Sequence, residues 1–150
     1  MNTDLIIKKN KKVIDCLINS GRTDINVIAI ILCETYFRKK QDRIVEYFSM
    51  PFLFFLNYSR FQRLSIGIGQ IQLRHWIRLK KISVPLSIES YLIYFSVKNN
   101  YDVLDNLISS NLKKGFSETE LISFHTGESR KFHITLFIEL KNKINGLYKI

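Results

Sequence analysis

Glu34 is the first residue whose surroundings suggest chemistry. It stands late in the apolar run Ile30-Ile-Leu-Cys-Glu34-Thr-Tyr-Phe37. A carboxylate carried by so apolar a helix is partly desolvated. Desolvation raises its pKa and fits it to act as a general acid near neutral pH. The competing reading is a solvent-facing glutamate paired with Arg38, four residues on. A second feature is the loop Gly67-Ile-Gly69-Gln70-Ile-Gln72, which follows Ser65. It lacks the third glycine of a dinucleotide fingerprint. Its glycines allow close approach by a ligand or by another backbone, and Gln70 and Gln72 offer amide groups to a polar ligand such as a sugar. A tight turn between packed helices explains the same residues without a ligand.

The histidines His75, His125 and His133 form no ligand-spaced pair, so no metal is expected. No cofactor loop and no nucleophile–base pair stands out. Cys16 and Cys33 read as buried thiols. After Glu46 no acid occurs until Glu89, and that window holds Arg60, Arg63, Arg74, Arg78, Lys80 and Lys81. These charges flank the glycine loop. With Tyr58, His75 and Trp76 interleaved, they also suit a nucleic-acid backbone.

These residues must be positioned by one domain. The chain has 150 residues, a formal charge of +10 and 46% hydrophobic residues. That length supports a core without staples, and the apolar content excludes disorder as the main state. The charge points to an anionic partner. Ile6 to Ile18 reads as an N-terminal helix ended by Gly21, within residues 1–22. Thr23 or Asp24 caps a central helix apolar around most of its surface. Ser49-Met50-Pro51 marks a break, so Ile44 to Leu56 reads as a buried helix pair or a surface-seeking loop. A loop or short β-like turn is expected at the glycines, running into a helix from about Gln70 to Lys81. Further helices are expected over Ser87–Lys98, Tyr101–Asn111, Glu118–His125 and Ser129–Asn145, with Ser117 opening a capping box. The fold class is mainly α. No secretory signal is visible and no stretch reaches the ~18 apolar residues of a membrane span.

The order of these features resembles the lysozyme-like superfamily, closest to goose-type lysozymes and soluble lytic transglycosylases. Asp24 to Phe37 is similar to the family helix ending in Glu-Ser-x-Phe. Gly67 to Gln72 is similar to Gly-x-Gly-Leu-Met-Gln, with Ser65 near the family's loop serine. Ser123-Phe124-His125-Thr-Gly127 is similar to Ala-Tyr-Asn-Ala-Gly, and Tyr91-Leu92 to a Tyr-Leu pair. The departures are Gln70 for leucine, Phe124 for tyrosine, His125 for asparagine, and extra length over residues 41–63.

The resemblance implies a lysozyme-like helical domain with a central buried helix and a short glycine loop or small β element. It implies cleavage of the β-1,4 bond between N-acetylmuramic acid and N-acetylglucosamine in peptidoglycan, with no cofactor, at the bacterial cell wall. Glu34 would be the acid. Ser65, Gly67, Gly69, Gln70, Gln72 and Tyr91 would line the sugar subsites, with Phe124 and His125 on the opposite wall. Two rivals stand beside this. One is a non-enzymatic helical module that binds nucleic acid. The other is a non-catalytic lysozyme-like protein that binds the wall, as part of an envelope-spanning machine.

Overall fold

The computed structural model describes residues 2–38, 40–117, 120–122 and 131–149; the side chains of Lys40 and Asp42 are not among the described groups. The described residues are mainly helical. In chain order they form α1 (Thr3–Lys9), α2 (Lys11–Ile18), α3 (Ile25–Phe37), α4 (Lys40–Leu56), α5 (Tyr58–Arg63), β1 (Ser65–Ile66), β2 (Ile71–Gln72), α6 (Leu73–Leu79), α7 (Ile88–Phe95), α8 (Val97–Leu112) and α9 (Lys131–Tyr148).

The central helix is α3. Asp24 caps it by accepting from the Asn26 and Val27 amides at 2.8 and 3.4 Å. Every residue from Val27 to Glu34 is buried, so the all-round apolar pattern means enclosure. Its most extensive neighbour is α9, which contributes Leu136, Phe137, Leu140 and Ile144 to the core. Helix α8 lies against both α2 and α3. An Arg22–Asp102 fork, with bonds of 2.8 and 3.0 Å, fixes the chain before α3 to α8.

Several boundaries differ from the sequence reading. The N-terminal helix is two helices. Asn10 ends the first, its side-chain amide donating to the Ile6 carbonyl at 2.9 Å, and opens the second. Pro51 does not break the chain. It sits inside α4, and the turn comes at Asn57, whose side chain caps α5 by accepting from the Arg60 amide. One helix therefore spans Ile44 to Leu56, and its apolar side chains are largely exposed. Cys16 is exposed and only Cys33 is buried.

The glycine segment is a two-stranded antiparallel hairpin. Ser65 pairs with Gln72 and Ile66 with Ile71. Helix α6 begins only at Leu73, because Gln70 has φ +48 and cannot belong to a right-handed helix. Ser87 caps α7, and Ser117 forms its capping box with Glu120. Most of the expected helix Glu118–His125 lies outside the described residues.

Candidate active site

Glu34 sits in the last turn of α3, and it is 7% exposed. Burial pushes its carboxyl up from the usual 4.5 to about 7. Arg38 and Arg43 pull the other way, and Glu46 adds a smaller upward push. Arg38, four residues on, is one of the cations that act on the carboxyl. The Arg38 guanidinium also donates to Glu46, at 2.5 Å. Arg43 reaches back from α4 and donates to the Glu34 backbone carbonyl at 3.3 Å. Two cations, Arg38 and Arg43, therefore flank the carboxyl.

Arg43 also links Glu34 to a hollow of about 320 Å³ lined by Arg43, Ile44, Tyr47, Gly67, Ile68 and Phe95. The hollow lies between α4, the hairpin turn and α7. Tyr47 bridges two of these walls. The Gly67 backbone acts on its hydroxyl, and its ring meets Phe95 edge-on with centroids 5.2 Å apart. Burial raises the Tyr47 hydroxyl pKa. Tyr91 stacks on Phe95 with centroids 6.2 Å apart and an interplanar angle of 16°. Together these rings make an aromatic wall.

Asn100 holds the hairpin turn. Its side chain is fully buried. Its Oδ1 accepts from the Gly69 amide at 3.1 Å, and its Nδ2 donates to the carbonyls of Tyr94 and Ser96 at 2.7 and 2.8 Å. The glycines answer to this packing. A Cβ on Gly67 would lie 2.3 Å from Asn100 Oδ1 and 2.7 Å from the Tyr94 carbonyl, at φ +82. A Cβ on Gly69 would lie 2.7 Å from Leu104 Cδ1. The close approach is thus made by α7 and α8. Gly67 alone of the two glycines also lines the hollow.

The two glutamines are placed elsewhere. Gln70 is buried and its Nε2 donates to the Gly67 carbonyl at 2.9 Å. Gln70 and Gln72 line a second, smaller cavity of about 90 Å³, shared with His75, Leu104, Ile108 and Asn111. Ser65 lies at the start of β1 as the pairing partner of Gln72. Phe124 and His125 lie outside the described residues. The structure therefore brings together Arg43 (beside Glu34), Gly67 and the Tyr91–Phe95 stack, and separates from them the amides of Gln70 and Gln72. Arg43, Tyr47, Phe95 and Asn100 were not singled out in the sequence. The i, i+4 spacing of Arg43–Tyr47 and of Tyr91–Phe95 was the available signal.

Trp76 is fully buried against Tyr94, with centroids 5.5 Å apart. It offers no ring face for a nucleobase, which removes one support of the nucleic-acid reading. Among the described residues no cluster of histidine, cysteine or acidic side chains could hold a metal ion. Searches against family models, curated proteins and solved structures find no match for this chain.

Proposed function

We propose that the chain is a peptidoglycan-cleaving glycosidase that uses Glu34 as general acid and then general base. The observation that carries the reading is the buried Glu34 carboxyl, raised to about 7, whose residue is joined through Arg43 to a hollow walled by the glycine hairpin and an aromatic stack. A carboxyl with that pKa is substantially protonated at neutral pH, as a glycosidase acid must be. Aromatic faces suit the apolar faces of sugar rings, and the +10 charge suits an anionic wall polymer.

In this reading Glu34 gives its proton to the glycosidic oxygen as the C1–O bond breaks. Positive character develops at C1 of the muramyl sugar. The Glu34 carboxylate then takes the proton of the sugar's own C6 hydroxyl. That oxygen bonds to C1 and closes a 1,6-anhydro ring. Hydrolysis would instead need a second carboxylate to hold a water. Glu46, one of the two acids between Glu34 and the hairpin, has one oxygen engaged by Arg38, which favours the single-carboxylate route.

Mass spectrometry of peptidoglycan digests tests the proposal. Anhydromuramyl products from the native chain and none from Glu34→Gln are expected. Reducing-end products would assign hydrolysis, and no soluble product from the native chain would refute the reading.

A further inference from the structure

Helix α4 carries an apolar stripe that runs well beyond the hollow. Along α4, Ile44, Phe48, Phe52 and Phe55 follow one another at spacings of four, four and three, so they form one stripe. Their exposures are 52, 76, 69 and 80%, and Leu56 beside them is 82% exposed. Single exposed apolar side chains are ordinary, but a three-phenylalanine stripe over three turns is not. The stripe extends onto α7. Ile44 and Phe95 line one hollow, and Ile88, Leu92 and Phe95 share the exposed face of α7 at spacings of four and three.

Charge decides what covers this face. No acid occurs between Glu46 and Glu89, and Glu46 itself is engaged by Arg38. Arg60 and Arg63 stand exposed on α5, one residue beyond the end of α4, and Lys98 stands exposed in the first turn after α7. A second copy of a +10 chain would bring like charge against like. An anionic bilayer surface would meet the phenylalanines with acyl chains and the flanking cations with lipid phosphates. An apolar helix face flanked by basic residues has the composition of a segment that lies in the membrane interface. Among the described residues no helix is long and apolar enough to cross a membrane, so the contact is with the surface.

We propose that α4, with the adjoining face of α7, seats the protein on an anionic lipid surface. This does not depend on the glycosidase reading. The test is co-sedimentation of the full chain with vesicles of equal parts phosphatidylglycerol and phosphatidylcholine, and with vesicles of phosphatidylcholine alone. The native chain should bind the anionic vesicles, with binding weakened by salt, and bind the neutral ones much more weakly. Phe48→Ser/Phe52→Ser/Phe55→Ser should lower the partition coefficient by about a hundredfold, with its helical circular dichroism unchanged. Should the triple variant fail to fold, Phe48→Ser alone should lower it about fivefold. Arg60→Gln/Arg63→Gln should weaken binding to anionic vesicles only. The proposal is overturned if the native chain leaves anionic vesicles unbound or if the phenylalanine variants bind as well as the native chain. It is also overturned if light scattering shows a concentration-dependent dimer that the triple variant abolishes.

Discussion

Replacing Glu34 by glutamine should make the protein more stable at pH 8 than at pH 4 relative to the native chain. The reasoning starts from desolvation, the largest cause of the raised pKa. An acid that is harder to ionise in the folded chain than in the unfolded one binds its proton more tightly when folded. Its contribution to stability is fully present below the unfolded pKa of about 4.5 and is lost as pH rises through about 7. Each pKa unit is worth ~1.36 kcal/mol, so the rise from 4.5 to about 7 amounts to about 3 kcal/mol. Glutamine does not titrate and keeps nearly the shape of the protonated acid.

The measurement is a set of thermal melts of both chains at pH 4, 6 and 8. Other titrating groups act alike in both and cancel in the difference. The variant's advantage should grow by about 3 kcal/mol between pH 4 and pH 8, most of it between pH 5 and pH 7. For a chain of this length that is a change of about 6–12 °C in the Tm difference. The same variant should lose wall cleavage. Parallel Tm-against-pH curves would refute the reasoning, because a solvated Glu34 would cost nothing to ionise in the folded chain. Retained cleavage would remove Glu34 as the acid, whatever the melts show.

Two further outcomes follow from the same geometry. Gly67→Ala should destabilise the fold by about 3 kcal/mol in urea unfolding, since its Cβ meets Asn100 Oδ1 and the Tyr94 carbonyl at a positive φ; a loss below about 1 kcal/mol would mean that the hairpin turn yields. A thiol reagent should label one cysteine quickly in the native protein and both in denaturant, because Cys16 is exposed whereas burial pushes the Cys33 thiol up to about 12.

Much of the scaffold was legible because its signals are local. Asp24, Ser87 and Ser117 are caps in the structure as they are in the sequence, since a cap needs only a side-chain oxygen two or three residues before the amide it serves. The burial of Glu34 was legible because the residues around it leave α3 no polar face. The Arg38–Glu46 contact was not. Spacing put Arg38 at i+4 from Glu34, but it could not show that Arg38 terminates α3 with extended backbone and that its guanidinium reaches Glu46 on the next helix. A pairing decided at a helix end depends on where the following helix runs, and local spacing does not contain that. The same holds for Asn100. Its role depends on the hairpin lying 31 residues earlier in the chain, against the start of α8.

Residues 41–63 show most clearly how local rules compete. Pro51 argued for a break, because proline removes one helical hydrogen bond and crowds the preceding turn. Yet the segment is apolar on both sides of it, and Met50 and Phe61 are buried in the core at either side. Continuing the helix keeps Met50 in the core and holds Phe54 edge-on to Phe61, with centroids 5.1 Å apart. A break at Pro51 would give up that register. The helix therefore continues through the proline and turns at Asn57, where a side-chain oxygen is available to cap the next one. That same continuity places Ile44, Phe48, Phe52 and Phe55 in one exposed line. Two short helices broken at Pro51 would have no reason to align them, so the apolar stripe is a product of the helix the proline fails to stop.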